Sequence, residues 1–225
     1  MKKNIIITGA SRGIGLSLVK QLSLNHNVLA VSRHPDLLKK QINIHSVAID
    51  FLKDNDMLQF LPAVEKYLNG KVDVVIHNAG LLINKPFLEL DQDDFYKMYK
   101  VNVLAVAEMT KLIIPLLNAN AHIVSISSMG GVQGSAKFAG LSGYSSSKGA
   151  LITLTEVLAE EFKTHSVAFN VLALGAVQTE MLNEAFPEFK APVSSDEIAE
   201  FIAHFALTGN KYFNGKIIPV AQSTP

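Results

Sequence analysis

The chain of 225 residues contains no cysteine, which removes disulfides and thiolate chemistry from consideration. It also has no excess charge of either sign, because 20 lysines and arginines balance 20 aspartates and glutamates. A balanced chain creates no overall field that would attract nucleic acid or an anionic membrane. What remains is a length that suits one α/β domain with a sizeable core.

Long apolar runs are lacking as well. None approaches the roughly 18 residues of a membrane span, and the three isoleucines after Lys2, Lys3 and Asn4 are too few for the core of a signal peptide. The seven histidines show no metal-ligand spacing, and the aromatic residues are not interleaved with basic ones. We therefore expect a cytoplasmic protein without a metal site, a membrane contact or a nucleic-acid partner.

The first 22 residues have the pattern of a strand, a glycine-rich turn and a helix. An isoleucine run predicts a strand over 4–8, and apolar residues from Ile14 to Leu22 mark one face of a helix. Glycines permit close backbone approach, and the helix N-terminus offers free N–H groups to a phosphate. A plain turn between strand and helix is the alternative. The residues assigned to this phosphate site are Gly9, Ser11, Arg12, Gly13, Ile14 and Gly15.

The two residues after the predicted second strand (28–31) bear on the choice of cofactor. A site for NAD usually places an acidic residue here, where it binds the ribose 2′-hydroxyl. This chain has Ser32 and Arg33 instead, and a guanidinium binds the 2′-phosphate of NADP through a charge-assisted fork. Arg12 in the glycine-rich turn offers a second cation. We therefore predict that NADPH is preferred over NADH, and the alternative is two ordinary surface arginines.

Asp50 comes directly after the predicted third strand, 44–49. An acidic residue at the carboxyl end of that strand is placed to accept a hydrogen bond from the adenine of a dinucleotide. It is equally placed to cap the helix predicted over 54–68. Both interpretations of Asp50 remain open at this point.

The rest of the chain continues to alternate strands with helices. The predicted strands cover 72–76, 121–127, 167–174 and 216–220, and the predicted helices cover 91–117, 144–162 and 195–207. Such alternation indicates a parallel, doubly wound sheet of the Rossmann type. We predict one α/β domain over residues 1–225, with its ligands at the carboxyl ends of the strands.

Tyr144 and Lys148 are four residues apart, so they lie on one helix face, one turn from each other. A free tyrosine has a pKa of about 10, too high for useful proton exchange near neutral pH. A neighbouring ammonium favours the phenolate and lowers this pKa, which makes Tyr144 a candidate general acid or base. The pair alone is also typical of a solvated helix face.

With its motifs in this order, the chain resembles the short-chain dehydrogenase/reductase family over nearly its whole length. The motifs are Thr8-Gly9-x-x-x-Gly13-x-Gly15, Asn78-Ala79-Gly80, Asn102, Ser128, Tyr144-x-x-x-Lys148, and Gly175 with Thr179. The resemblance implies a single-domain Rossmann-type fold. It also implies hydride transfer between a nicotinamide cofactor and a small-molecule carbonyl or alcohol.

The resemblance assigns a role to each matching residue. Tyr144 would exchange a proton with the substrate oxygen, and Lys148 would lower the Tyr144 pKa and hold the nicotinamide ribose. Ser128 would donate a hydrogen bond to the substrate oxygen. Asn102 would hold a water that links Lys148 to solvent. The other implied cofactor contacts are Asn78, Ala79, Gly80, Gly175, Val177 and Thr179.

Two serines compete for the role of hydrogen-bond donor. We prefer Ser128 over Ser127 because the serine of the family usually precedes a short apolar-glycine turn, here 129–131. The interval from Ser128 to Tyr144 is longer than we expect of the family. An insertion over 133–141 would explain it, and that loop would then lie over the substrate.

Further departures concern the frame around the site and leave the proton relay unchanged. His77 stands where the family often has a second asparagine, and Leu174 replaces the usual proline before Gly175. The tail after Val220 lacks the usual Asp-Gly-Gly, which puts the familiar tetramer packing in doubt. Apolar helix faces predict a homodimer or homotetramer, or else they are ordinary core. Those faces comprise Val103, Val106, Leu151, Leu154 and Leu158.

Two segments, about 129–143 and 180–193, are expected to select the substrate. Their apolar residues are Phe138, Leu141, Met181, Phe186 and Phe189, and they contain no cluster of basic residues. An uncharged carbonyl is therefore favoured, unless these side chains only pack on the core or a neighbouring subunit. A cofactor-sensing protein or a methyltransferase would share the fold but would have no use for a Tyr-Lys proton relay.

Overall fold

The chain folds around a parallel sheet, and the computed structural model describes its residues 1–38 and 43–222. The strands are β1 (Asn4–Thr8), β2 (Asn27–Ser32), β3 (Ile44–Ala48), β4 (Val72–His77), β5 (Leu117–Ser128), β6 (Ala168–Leu174), β7 (Val177–Gln178), β8 (Val193–Ser194) and β9 (Lys216–Val220). Seven strands form the sheet in the order β3-β2-β1-β4-β5-β6-β9, and β7 pairs separately with β8. The expected Rossmann-type, doubly wound architecture is confirmed; the remaining residues of the predicted span, 39–42 and 223–225, lie outside the described ones.

Helices cover both faces of this sheet. They are α1 (Gly13–Leu22), α2 (Phe60–Leu68), α3 (Gln92–Tyr99), α4 (Ala105–Ile113), α5 (Ser142–Glu161), α6 (Glu180–Ala185) and α7 (Ser195–Thr208). One core joins α1 and α7 to the sheet through residues such as Leu18 and Ile202. The other core joins α2 and α4 to the opposite face through Phe60 and Met109. None of the helices in the described part of the chain combines the length and apolarity that crossing a membrane requires.

The position of β1 explains both its composition and the location of the site. Ile5, Ile6 and Ile7 are fully buried, and successive side chains of a strand point to opposite faces, both of which are covered here. That is why an unbroken apolar run marked this strand correctly. β1 pairs with β2 on one side and β4 on the other. The carboxyl ends of β1 and β4 therefore frame the crevice in which such sheets bind ligands.

The helix predicted over 91–117 is wrong as one continuous element. α3 begins after Asp91, whose side chain accepts a hydrogen bond from the backbone N–H three residues later in a capping box. A π-helical turn at 100–104 then separates α3 from α4. Pro115 lies in a 3-10 turn after α4, where its missing N–H helps to end the helix. The chain joins the sheet at Leu117, earlier than predicted.

Two buried histidines stiffen the frame. His77 Nε2 lies 3.1 Å from Thr110 Oγ1 on α4. His122 Nδ1 lies 3.0 Å from the carbonyl oxygen of Ala206 on α7, and its Nε2 lies 2.9 Å from Asn170 Nδ2 on β6. Burial lowers the pKa of each histidine to about 4. Both rings are therefore neutral in the folded protein at neutral pH.

We predict that the free energy of unfolding falls as the pH drops from about 6.5 towards 4. In the unfolded chain these histidines are protonated near pH 6.5, whereas in the folded chain they are protonated only at lower pH. The stability that the neutral histidines contribute is therefore fully present only above about pH 6.5. The loss should reach roughly 3 kcal/mol per histidine, measured by urea unfolding at several pH values. His122→Gln should remove part of this slope, and His204→Gln, at an exposed position, should not. Equal slopes in both variants would contradict the prediction.

Candidate active site

The glycine-rich turn brings α1 against the end of β1. Gly9 has φ 67°, in the left-handed region that favours glycine. A Cβ on Gly15 would lie 2.1 Å from the Gly9 carbonyl oxygen, so a side chain there would force the turn apart. α1 begins at Gly13 with no side-chain cap from Arg12 and no acidic residue in its first turn. Its first N–H groups therefore remain available to an anion.

Asn78 fixes this turn to the end of β4. Its Nδ2 donates to the carbonyl oxygens of Thr8 at 3.0 Å and Gly9 at 3.2 Å. In return, Thr8 Oγ1 accepts the backbone N–H groups of Asn78 at 3.0 Å and Ala79 at 2.9 Å. A Cβ on Gly9 would lie only 2.8 Å from Ala79 Cα. The predicted motifs around Gly9 and Asn78 thus form one hydrogen-bonded unit.

The predicted 2′-phosphate residues lie at the end of β2 and in the glycine-rich turn. Ser32 is buried, and its Oγ has no hydrogen-bond partner among the described residues. Arg33 is exposed. Arg12 forms a bidentate ion pair with Glu184 on α6, in which Nη2 and Oε2 are 3.2 Å apart and Nη1 contacts Oε1. No local pattern in the sequence indicated this acidic partner.

The structure excludes one of the two interpretations of Asp50, the helix cap. The helix predicted over 54–68 starts as a 3-10 helix (Asp54–Gln59) whose N-cap is Lys53, so the capping interpretation of Asp50 is wrong. Asp50 Oδ1 instead accepts the backbone N–H of Leu52 at 3.1 Å in a tight turn. Its possible contact with adenine stays a prediction.

Asn102 lies at the centre of a buried hydrogen-bond network. Its Oδ1 accepts the backbone N–H of Leu81 at 2.8 Å, and its Nδ2 donates to the Leu81 carbonyl oxygen at 2.9 Å. The same Nδ2 donates to Ser147 Oγ at 2.9 Å, and Ser147 Oγ donates to the Tyr144 carbonyl oxygen at 2.7 Å. The π-helical turn at 100–104 carries this side chain, and such turns are frequent at functional sites. Asn102 therefore joins the segment after β4 to α5.

The two serines at the end of β5 have different surroundings. Ser127 is buried, and its Oγ donates to the Lys148 carbonyl oxygen at 2.9 Å, so this hydroxyl is committed to the backbone of α5. Ser128 is only half-buried and interacts with the Tyr144 side chain. Its Oγ also accepts the Gly130 N–H at 3.2 Å. This arrangement favours Ser128 over Ser127 as the residue that meets a substrate.

Lys148 is buried against the end of the sheet. Its Nζ donates to the Ile126 carbonyl oxygen at 2.9 Å and lies 5.8 Å from the centroid of the Tyr144 ring. A Cβ on Gly80 would lie 3.4 Å from the same nitrogen. Burial lowers the pKa of Lys148 to about 8. Tyr144 and Lys148 on α5 therefore lie near the end of β4, next to the segment 78–80.

The expected direction of the Tyr144 pKa is wrong for this structure. Burial raises the pKa of Tyr144 to about 12, and hydrogen bonding with Ser128 acts in the opposite direction. Lys148 points its ammonium at the Ile126 carbonyl oxygen, and the desolvation of the phenol is the larger effect. Proximity of a lysine in the sequence did not reveal how strongly the phenol of this half-buried residue would be desolvated.

The segment after β6 brings α6 over the glycine-rich turn. The Gly175 N–H donates to the Val220 carbonyl oxygen at 3.0 Å, which ties this exit to β9. Val177 is buried in the β7–β8 pair. Thr179 Oγ1 accepts the Leu182 N–H at 3.1 Å and so caps α6. The predicted residues of this segment thus border the glycine-rich turn through α6.

Four residues that support the site had no role assigned from the sequence: Thr8, which appeared only as part of the glycine motif, and Asn84, Ser147 and Glu184. Asn84 Nδ2 donates to the Ala185 carbonyl oxygen at 2.8 Å, which links the segment after β4 to α6. Thr8, as the last residue of a strand before the glycines, carried a weak signal. The other three depend on contacts between distant segments, for which the sequence contains no local signal.

A cavity of about 470 Å³ adjoins the first turn of α5. Its lining residues are Pro86, Phe87, Lys137, Phe138, Ala139, Gly140, Leu141, Ser142 and Ser145. The Lys85 N–H donates to the Gly140 carbonyl oxygen at 3.0 Å across this cavity wall. A Cβ on Gly130 would lie 2.8 Å from Ser145 Oγ and 3.6 Å from Ser128 Oγ. Ser145 of the lining therefore lies near Ser128, which is not itself a lining residue. The described chain contains no group of three or more acidic or histidine side chains that could hold a metal ion.

Comparison with known proteins gives consistent relatives. A family model described as short chain dehydrogenase matches residues 3–189. Oxidoreductase BOA17 of Botryotinia fuckeliana is 32% identical over 216 residues, which cover 92% of this chain and 76% of that protein. L-xylulose reductase of Bos taurus is 31% identical over 194 residues, which cover 83% and 76%.

Solved structures share the fold. A 3-ketoacyl-(acyl-carrier-protein) reductase from Brucella melitensis complexed with NADH superimposes with a TM-score of 0.87 at 23% identity, covering 99% of this chain and 98% of that one. A short chain dehydrogenase from Burkholderia cenocepacia in complex with NADP gives 0.87 at 22% identity, covering 99% and 97%. These likenesses extend over the whole sheet and its helices.

We predict that Asn102→Ala lowers the free energy of unfolding by roughly 1–3 kcal/mol, because the Leu81 N–H and carbonyl groups lose their partner in a buried setting. Urea unfolding measures this change. The matched control is Asn25→Ala, since Asn25 is exposed and makes no side-chain hydrogen bond with the described residues; it should change stability by less than about 0.5 kcal/mol. Similar stability of the two variants would contradict the role of Asn102.

Proposed function

Because this chain belongs to the short-chain dehydrogenase/reductase family, we propose that it transfers hydride between NADPH and a small, uncharged carbonyl or alcohol. Membership makes it an oxidoreductase that acts on carbonyl or alcohol groups with a nicotinamide cofactor. The observation that carries the finer proposal is that Ser128 and Lys148 both lie close to Tyr144, with Lys148 Nζ next to Gly80 after β4.

The residues present fit a dinucleotide. The uncapped first turn of α1 would take the pyrophosphate. The hydroxyl of Ser32, which has no partner among the described residues, would hold the 2′-phosphate of NADP together with Arg33 and Arg12. The remaining cofactor contacts in the proposal are Gly9, Ser11, Gly13, Ile14, Gly15, Asp50, Asn78, Ala79, Gly80, Tyr144, Lys148, Gly175, Val177 and Thr179. When bound, the nicotinamide supplies the hydride.

The protein's own groups supply the proton and stabilise the oxygen. Tyr144 donates the phenolic proton to the carbonyl oxygen in reduction, and a neutral phenol is the form its raised pKa maintains at pH 7. Ser128 donates a hydrogen bond to the same oxygen, where negative charge develops. Lys148, close to the phenol, stabilises the phenolate that remains. Both amide protons of Asn102 are engaged, with the Leu81 carbonyl oxygen and Ser147 Oγ. Asn102 would therefore hold a water of the relay through one of its oxygen atoms.

The cavity beside α5 supports an apolar substrate. Phe87, Phe138 and Leu141 are among its lining residues, and Leu141 also belongs to the core. Lys137 is the only basic residue in its lining, and its Nζ donates to the Val132 carbonyl oxygen at 2.6 Å. We therefore keep the 129–143 and 180–193 segments as the substrate-selecting ones and an uncharged carbonyl as the substrate.

A homodimer or homotetramer belongs to the same proposal. Val106 and Leu151, from the apolar helix faces noted above, are buried within the single chain and so are ordinary core. Leu104 and Val157 on the neighbouring positions are about half exposed, at 49% and 48%. They leave apolar surface on the π-helical turn before α4 and on α5, which supports packing against a second copy. The altered tail after Val220 keeps the choice between dimer and tetramer open.

Tyr144→Phe tests the catalytic proposal. We predict that turnover with NADPH falls by roughly two to four orders of magnitude, because the proton donor is lost. The affinity for NADPH, measured by calorimetric titration, should stay nearly unchanged. Tyr96→Phe removes a hydroxyl at an exposed position and should leave turnover intact. Undiminished turnover in Tyr144→Phe would refute the assignment.

A thermal-shift titration with NADPH and NADH in parallel tests the cofactor preference. At a hundred times its dissociation constant, a ligand stabilises the fold by roughly 2.7 kcal/mol, which a thermal shift detects. We predict a larger shift with NADPH, and a reversal of this order in Ser32→Asp combined with Arg33→Ala. Lys20→Ala also removes an exposed positive charge and should leave the order unchanged. A double variant that binds NADPH as tightly as before would show that the 2′-phosphate is recognised elsewhere.

A further inference from the structure

Helix α6 places two acidic side chains against the glycine-rich turn. Glu184 forms the ion pair with Arg12, and Glu180 Oε2 lies 3.3 Å from where a Cβ on Gly13 would be. The first turn of α1 has no acidic residue of its own. The negative charge at this phosphate-binding turn therefore comes from α6.

The charges of both candidate cations for the 2′-phosphate act on Glu184. The hydrogen bond from Arg12 holds the pKa of Glu184 below its usual value, and the charge of Arg33 acts in the same direction. The carboxylate engages both terminal nitrogens of the Arg12 guanidinium. A phosphate would seek the same bidentate face, since carboxylate and phosphate match the planar fork of arginine in the same way.

Two further contacts hold α6 independently of Arg12. Asn84 Nδ2 donates to the Ala185 carbonyl oxygen at 2.8 Å, and Thr179 caps the start of the helix. Exchange of partners at Arg12 therefore requires a side-chain movement of Glu184 and leaves the other anchors of α6 in place. The ion pair is solvent-exposed, with 41% of the Arg12 and 63% of the Glu184 side chain accessible, so its rupture costs little.

We infer that Glu184 is a cofactor-discriminating residue, which competes with the 2′-phosphate of NADPH for Arg12 and so weakens NADPH binding without affecting NADH. The inference rests on the proposed 2′-phosphate site. It makes the strength of NADPH preference a balance between Arg33, which forms no ion pair with a described residue, and Arg12, which must first release an acid.

Calorimetric titration of NADPH and NADH into Glu184→Gln tests this competition. The amide keeps the size of the side chain and removes its charge. We expect NADPH to bind roughly two- to five-fold more tightly, the range that an exposed ion pair supports, and NADH to bind as before. Glu188→Gln is the matched control, because Glu188 is an exposed glutamate just after α6 that makes no ion pair with a described residue; it should change neither affinity.

Arg12→Gln separates failure of the inference from failure of the proposed function. NADPH should bind this variant more weakly, and adding Glu184→Gln should then give no gain, since the contested guanidinium is gone. If Arg12→Gln weakens NADPH but Glu184→Gln does not strengthen it, the competition is refuted and the 2′-phosphate site stands. If Arg12→Gln leaves NADPH binding unchanged, Arg12 is no part of the 2′-phosphate site. In that case the competition by Glu184 and the assignment of Arg12 to this site both fail. Equal gains for NADPH and NADH in Glu184→Gln would also overturn discrimination by Glu184.

Discussion

The close approach of the glycine-rich turn to the end of β4 is the constraint on which the rest of the site depends. Gly15 leaves no space for a side chain beside the Gly9 carbonyl oxygen, and Asn78 bonds the Thr8 and Gly9 carbonyl groups from the other side. β1, α1 and β4 are thereby fixed relative to one another at the point where the sheet reverses its strand order. A change at any of these contacts would move the glycine-rich turn and the segment after β4 together.

Asn102 extends this rigid unit to α5. Its side-chain amide pairs with the backbone N–H and carbonyl groups of Leu81, three residues after Asn78. The same amide donates to Ser147, which directly precedes Lys148. A buried amide with all its partners in place specifies one geometry, because any slip would leave polar groups unpaired in a low dielectric. The Tyr144–Lys148 pair is therefore held by a network anchored on the segment after β4.

Much of the fold could be predicted from the sequence because its strands are covered on both faces. Such strands read as apolar runs, and the isoleucines of β1 defined its bounds as the structure has them. The interrupted helix after Asp91 could not be predicted, since a π-helical turn at 100–104 has no distinct apolar period. The residue types of the site were readable as motifs. The burial of Tyr144, the role of Asn84 and the pairing of Arg12 with Glu184 depend on segments far apart in the chain, and local patterns do not encode them.

The shortness of α6 has a consequence for how a ligand enters and leaves. A helix of six residues is too short to be stable in isolation, because the cost of nucleation exceeds what a few hydrogen bonds return. Its helical structure therefore depends on its contacts through Asn84, Thr179 and Glu184. When α6 leaves these contacts it also unfolds, so the two changes are one event. Such an opening has a free energy well below that of the whole fold. Access to the crevice should thus respond to mild denaturant or warmth long before the sheet does, so that the speed of exchange reflects the stability of one short segment.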